Sequence, residues 1–135
     1  MKIEHIGIAV KNLEEANKTY SLLFGKKPYK TETVETQRVI TSFFQTGESK
    51  IELLAATNEN SPIAKFIARR GEGIHHIAFA VENIEEEMER LQKEGFTLLN
   101  DRPKRGADNK LVAFLHPKDN HGVLIELCAE TGSTK

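Results

Sequence analysis

The sequence lacks the features that mark several classes of protein. Its one cysteine, Cys128, excludes an intramolecular disulfide and a cysteine-only metal cage. No run approaches the roughly 18 consecutive apolar residues of a transmembrane helix, and we expect neither a signal peptide nor an Arg-rich transit segment at the N-terminus. These absences predict a cytoplasmic protein in a reducing compartment, with no membrane partner.

An excess of charge of one sign is also missing. The 135 residues include 19 Lys plus Arg and 20 Asp plus Glu, for a formal net charge of −1. A nucleic-acid-binding protein needs a basic excess to displace phosphate counterions, so we expect no nucleic-acid partner. Hydrophobic residues make up 39% of the chain, which is ordinary for a globular domain and argues against disorder.

The chain contains a second copy of its own beginning. The segment His-Ile-Gly-Ile-Ala-Val-Lys-Asn-Leu-Glu-Glu at 5–15 aligns without a gap with His-Ile-Ala-Phe-Ala-Val-Glu-Asn-Ile-Glu-Glu at 76–86. Further on, Lys-Ile-Glu-Leu-Leu at 50–54 corresponds to Leu-Ile-Glu-Leu-Cys at 124–128. Each half therefore runs from a strand that contains histidine to a strand that contains glutamate.

The residue pattern of each half predicts a strand, a helix and then three strands. The helices begin at the caps Asn12 and Asn83 and end at Gly25 and Gly95. Their apolar stripes are Leu13, Ala16, Tyr20 and Leu23 in the first helix, and Ile84, Met88 and Leu91 in the second. The later strands are predicted near 28–34, 37–46 and 49–55 in the first half and near 96–101, 110–116 and 122–129 in the second.

The domain organisation follows from the size of the halves. We predict one α+β domain over 1–130, made of a βαβββ module at 1–57, a helical linker at 58–71 and a second βαβββ module at 72–130. A half of this size has difficulty supporting its own core, so the modules should pack as a pseudo-twofold pair around a cleft formed by mixed sheets. The tail 131–135 is predicted to be frayed.

The histidine strands have one bulky face and one nearly bare face. His5 shares its face with Gly7 and Ala9, and His76 shares its face with Ala78 and Ala80. The opposite faces carry large apolar side chains. This pattern indicates a strand that packs a helix on one side and leaves volume for a ligand on the other.

Two glutamates, Glu52 and Glu126, lie inside apolar strands. A carboxylate on a central strand is costly to bury unless it is paired or bound to a metal. With His5 and His76, they form a set of two nitrogen and two oxygen donors placed equivalently in the two halves. Such a set suits a divalent ion such as Co²⁺, Ni²⁺, Zn²⁺, Mn²⁺ or Fe²⁺.

Other reactive side chains are interpreted as structural. His75 should point away from His76, and both His116 and His121 fall in predicted turns. Cys128 is interpreted as a small buried hydrophobe. The basic residues Arg102, Lys104, Arg105, Lys110 and Lys118 are typical of a solvated loop, with phosphate binding as the alternative.

These residues together resemble the vicinal oxygen chelate superfamily. The resemblance depends on the paired modules, the Gly-Ile-His-His-Ile-Ala-Phe segment at 73–79 and the two glutamate strands. Within the superfamily, the chain resembles the methylmalonyl-CoA epimerases through Asn-Ser-Pro-Ile-Ala-Lys-Phe at 60–66 and Phe-Leu-His-Pro-Lys at 114–118. The similarity spans nearly the whole chain.

The resemblance implies an isomerase that removes and returns the α-proton of a methylmalonyl thioester. It implies a metal ligand set of His5, Glu52, His76 and Glu126, with Co²⁺ expected first and Ni²⁺, Mn²⁺ or Zn²⁺ as alternatives. Glu126 and Glu52 are then the expected catalytic bases, an acyl-CoA the substrate and a homodimer the assembly.

The sequence departs from some epimerases at one strand. They place an additional catalytic Glu on the strand that here spans 37–43, which contains no acid. The second base is therefore either Glu52 or a residue outside these motifs, such as Glu35.

Three other functions share parts of this pattern. Glyoxalase I would isomerise a glutathione hemithioacetal with the same four ligands. An extradiol dioxygenase would use two His and one carboxylate, and a small-molecule-sequestering protein of the same fold would often lack the metal set.

Overall fold

The computed structural model describes residues 1–131, so the predicted frayed tail lies, after Thr131, outside the described residues. The chain divides into two compact units. We call the unit of His5–His75 the N-unit, and the unit of Met1–Glu4 with the residues from His76 onward the C-unit.

Each half of the chain has the predicted βαβββ order, which confirms the α+β fold class. The first half contains β1 (Lys2–Ala9), α1 (Leu13–Phe24), β2 (Lys30–Val34), β3 (Val39–Thr46) and β4 (Ser49–Ala56). Helix α2 (Pro62–Arg70) follows. The second half contains β5 (Gly73–Ala80), α3 (Ile84–Lys93), β6 (Lys104–Arg105), β7 (Lys110–Leu115) and β8 (Ile125–Glu130).

The strand pairing is the same in the two halves. The strand order is β2-β3-β4-β1 in the first and β6-β7-β8-β5 in the second. In each, the histidine strand pairs in parallel with the glutamate strand, and the other pairs are antiparallel. Among residues 1–131, no helix combines the length and the apolar character needed to cross a bilayer.

The strand predicted near 96–101 is wrong. In that stretch only Leu98 forms a bridge, to Leu115, and the strand that pairs with β7 is the short β6. Backbone pairing of this stretch consists of the Leu99 N–H donating to the Phe114 carbonyl and the His116 N–H donating to the Thr97 carbonyl, both at 2.8 Å. Side chains supplement it, because the Thr97 N–H donates to Asp119 at 2.8 Å and the Phe114 N–H donates to Asn100 at 2.8 Å. The hydrogen bond from the Thr97 backbone also lowers the pKa of Asp119 from its ordinary value.

The predicted caps at Asn12, Asn83 and Gly25 are confirmed, whereas the C-cap of α3 is Glu94, one residue before the predicted Gly95. The Asn12 side chain accepts from the Glu15 N–H at 2.9 Å, and the Asn83 side chain accepts from the Glu86 N–H at 3.1 Å. Gly25 closes α1 with φ of 71°, in the left-handed region that glycine adopts without strain.

Each helix packs on one face of its own half, but one residue of the predicted stripes is misplaced. In α3, Ile84, Met88 and Leu91 are buried as predicted. In α1, Leu23 is 68% exposed, and Phe24 packs instead, with its ring centroid 5.3 Å from that of Phe44. The buried face of α1 is therefore the predicted one except in the last turn, where the packed residue is Phe24 and not Leu23.

This packing predicts unequal effects of truncation in the N-unit. Phe44→Ala should lower the free energy of unfolding by about 3–5 kcal/mol, because Phe44 is fully buried against α1. Leu23→Ala should change it by no more than about 0.5 kcal/mol, because the side chain is exposed. Urea unfolding followed by circular dichroism measures both values, and equal losses would contradict the packing described.

Candidate metal centre

In the N-unit, the predicted ligands His5 and Glu52 lie together. His5 is on β1 and Glu52 on β4, where Gly7 is the residue paired with Glu52. The His5 Nδ1 and Glu52 Oε2 atoms are 3.1 Å apart, and both side chains are 5% exposed. Because Gly7 has no side chain, the imidazole and the carboxylate can incline toward each other above it.

The C-unit repeats this arrangement with His76 and Glu126. Ala78 of β5 is paired with Glu126 of β8, so a small residue again lies between the two side chains. The His76 Nε2 and Glu126 Oε1 atoms are 3.1 Å apart, and the side chains are 6% and 7% exposed. The two histidines present different ring nitrogens, Nδ1 in the N-unit and Nε2 in the C-unit.

The chemistry and spacing of each pair fit a divalent metal ion. Imidazole nitrogen and carboxylate oxygen bind such ions at about 2.0–2.2 Å, so two donors at a right angle lie about 3 Å apart. The observed separation of 3.1 Å matches this value in both pairs. A direct hydrogen bond between imidazole and carboxylate has a similar length, and either arrangement neutralises a carboxylate that burial would otherwise penalise.

Each carboxylate also has an aromatic neighbour that the sequence analysis missed. Phe43 of β3 is paired with Glu52, and Phe114 of β7 is paired with Glu126. The Phe114 ring meets the His76 ring edge to face, with centroids 6.1 Å apart. The two phenylalanines are separated by 71 residues, as His5 and His76 are, so the repeat in the sequence already relates them.

Lysines accompany these rings. The Lys30 ammonium lies 5.3 Å from the Phe43 ring centroid, and the Lys104 ammonium lies 6.0 Å from that of Phe114. Lys50, paired with His5 and only 6% exposed, is 6.0 Å from the Phe43 centroid. Both rings therefore lie beside cationic as well as anionic groups.

The remaining candidates make other contacts or lie in turns. The His75 ring packs edge to face on Phe66, with centroids 4.9 Å apart. His116 caps a short turn by accepting the Lys118 N–H at Nδ1, and His121 has φ of 58°. Glu35, the alternative second base, is exposed in a turn after β2.

Cys128 and the basic loop make local contacts. The Cys128 thiol is buried, 3.9 Å from Glu4 Oε1. Arg105 donates to the Asn109 side chain at 2.7 Å, and Lys110 forms an ion pair with Glu130. Two of the basic residues therefore have partners on neighbouring elements.

Comparison with known proteins gives a consistent result. The profile of the Glyoxalase/Bleomycin resistance protein/Dioxygenase superfamily matches residues 4–114. The ethylmalonyl-CoA/methylmalonyl-CoA epimerase of Cereibacter sphaeroides is 39% identical over 128 residues, which cover 93% of this chain and 96% of that protein.

Solved structures agree with this result. A hypothetical protein from Bacillus halodurans C-125 has a TM-score of 0.93 and 46% identity, over 96% of this chain and 94% of its own. A variant of Streptomyces coelicolor methylmalonyl-CoA epimerase, in complex with 2-nitronate-propionyl-CoA, has a TM-score of 0.91 and 36% identity, over 98% of this chain and 99% of its own. The chain therefore belongs to the Glyoxalase/Bleomycin resistance protein/Dioxygenase superfamily, as its resemblance to the vicinal oxygen chelate proteins implied.

Proposed function

We propose that the protein is a methylmalonyl-CoA epimerase, an isomerase that interconverts the 2R and 2S forms of methylmalonyl-CoA. The observation that carries this proposal is the similarity, over nearly the whole chain, to proteins named as such epimerases. One of them holds a propionyl-CoA derivative, which supports an acyl-CoA as the substrate here.

The two His–Glu pairs are proposed to hold one divalent ion through His5, Glu52, His76 and Glu126. The donor types, the 3.1 Å separation in each pair and the repetition of the pair support this assignment. A bound ion supplies Lewis-acid stabilisation of the negative charge that develops on the thioester oxygen when the α-proton leaves. Co²⁺ is proposed first, with Ni²⁺, Mn²⁺ and Zn²⁺ as alternatives, because all four accept nitrogen and oxygen donors.

Epimerisation also needs proton transfer on both sides of a planar intermediate, so two acid–base groups are required. The sequence assigns these functions to Glu126 and Glu52, one from each repeat. Both carboxylates lie beside an imidazole and an aromatic ring. The surrounding apolar strands limit the access of water, which protects a carbanion-like intermediate from unselective protonation.

The cellular location and the oligomeric state are proposed from the cysteine content and from exposed apolar residues. We place it in the cytoplasm, because one cysteine suits a reducing compartment. We propose a homodimer, since Leu22 and Leu23 at the end of α1 are 85% and 68% exposed and offer apolar surface to a second copy.

Metal binding provides the first test of the ligand assignment. In equilibrium dialysis of metal-stripped protein against Co²⁺, His76→Ala and Glu126→Gln should each weaken binding by at least about tenfold, because loss of a ligand exceeds the usual effect of an outer-shell change. His75→Ala is the matched control and should bind as the wild type does, because its ring packs on Phe66. Wild-type affinity in His76→Ala would remove the proposed ligand set.

The reaction is tested by hydrogen exchange at the substrate. Stripped protein restored with Co²⁺ should incorporate deuterium from D₂O into the α-position of methylmalonyl-CoA and interconvert the epimers, as read by NMR and chiral analysis. Methylglyoxal with glutathione is the parallel substrate and should not turn over. Turnover of the hemithioacetal without exchange would instead identify glyoxalase I.

A further inference from the structure

A buried lysine lies on the strand face of the N-unit that carries His5 and Glu52. Lys50 precedes Glu52 by two residues on β4, so both side chains project from the same face. The parallel register pairs Lys50 with His5 of β1, and Ile51 packs on the opposite face against the cluster under α1. Lys50 is only 6% exposed, and a lysine is seldom buried so far unless its charge is compensated. The sequence analysis did not single out this residue.

The ammonium of Lys50 lies beside the aromatic ring that borders Glu52. Its distance to the centroid of the Phe43 ring is 6.0 Å, and Phe43 is the residue of β3 paired with Glu52. The second lysine at this ring, Lys30, has a side chain that is 38% exposed and forms an ion pair with Glu32 at 3.3 Å. Lys50 is therefore the buried one of the two cations at this ring.

The two repeats differ at the position of Lys50. The segment Lys-Ile-Glu-Leu-Leu at 50–54 corresponds to Leu-Ile-Glu-Leu-Cys at 124–128, so Leu124 is the equivalent residue of the C-unit. Its carbonyl accepts the Ile77 N–H at 3.2 Å, as a member of the same kind of parallel pair. The equivalent place in the other repeat thus accepts an apolar side chain, and the repeat itself does not require an ammonium there.

The balance of charge on this face changes when a metal ion is added. Within the N-unit, the charge of Lys50 formally balances that of Glu52, and the charge of Lys30 balances that of Glu32. A divalent ion at the proposed ligands His5 and Glu52 leaves this nearly water-free face with an excess of positive charge. Such an excess is costly unless an anion accompanies it, so the face is suited to a ligand with a negative group.

The methylmalonyl group carries such a negative group, because its free carboxylate is bonded directly to the α-carbon. We infer that Lys50 binds this carboxylate and thereby selects 2-carboxyacyl-CoA esters over simple acyl-CoA esters. The inference rests on the function proposed above and names the residue that sets its substrate specificity. An ammonium offers three hydrogen-bond donors, and hydrogen bonds between charged groups are stronger than those between neutral ones.

Equilibrium binding of two CoA esters tests this inference. Methylmalonyl-CoA and propionyl-CoA differ only in the carboxylate, and isothermal titration calorimetry on Co²⁺-loaded protein gives the affinity for each. The wild type should prefer methylmalonyl-CoA. In Lys50→Met this preference should fall by at least about tenfold, because one partner of a buried charge pair is lost, while the affinity for propionyl-CoA stays unchanged. Lys50→Arg keeps the charge and should retain part of the preference.

Lys30→Met is the matched control. It removes a cation from the same ring, but one that is exposed and paired with Glu32, so the preference for methylmalonyl-CoA should stay as in the wild type. A fall of the same size in Lys30→Met would assign the effect to the ring and overturn the inference.

Binding of Co²⁺ separates substrate recognition from a structural effect of Lys50. Removing a positive charge beside the proposed ligands should leave the Co²⁺ affinity of Lys50→Met equal to that of the wild type or higher. If Lys50 served only the fold, the substitution would weaken Co²⁺ and propionyl-CoA together, and this result would overturn the inference. Should Lys50→Met not fold, Lys50→Gln, which keeps a polar end, takes its place in the comparison.

The failure of the inference and the failure of the proposed function give different results. If the wild type neither exchanges the α-proton of methylmalonyl-CoA nor binds this ester, the proposed function fails and the inference falls with it. If the wild type interconverts the epimers and folded Lys50→Met keeps the full preference, the function stands and the inference is overturned. Equal affinity of the wild type for the two esters would also overturn it.

Discussion

The burial of two carboxylates inside apolar strands is the constraint on which the site depends. Glu52 and Glu126 are almost inaccessible to water, and each lies 3.1 Å from an imidazole nitrogen. A charge in such a place must be neutralised by a partner, and the proposed metal ion, shared by imidazole and carboxylate, would do so for both pairs. The small residues Gly7 and Ala78 make the arrangement possible, because they leave room beside each histidine.

The two repeats share a set of three residues and differ in the residues around it. Each supplies a histidine, a glutamate and a phenylalanine at equivalent places in the register. Beyond these, Glu32 lies opposite Thr41 in the N-unit, whereas Lys104 lies opposite Val112 in the C-unit. Duplication accounts for the shared residues.

Much of the fold followed from the sequence, because it depends on local periodicity. The alternation of His5 with Gly7 predicted the bare face, and the asparagine caps marked the helix starts that the structure confirms. The repeat predicted a histidine and a glutamate at equivalent places in each half, and the structure places these two side chains 3.1 Å apart in each unit.

The sequence prediction was wrong for one strand and missed one pair of equivalent residues. The segment 96–101 has the composition of a strand, but its pairing is limited to the bridge between Leu98 and Leu115, and side-chain hydrogen bonds to Asp119 and Asn100 supplement it. Phe43 and Phe114 were missed although 71 residues separate them, as they separate His5 and His76.

The central claim is that the two His–Glu pairs hold a single divalent ion. Anomalous scattering at the cobalt edge from crystals of Co²⁺-loaded protein tests it most directly. The account predicts one peak per chain, in contact with His5, Glu52, His76 and Glu126. A separate peak at each pair, or a peak at other residues with both pairs directly hydrogen-bonded, would contradict it.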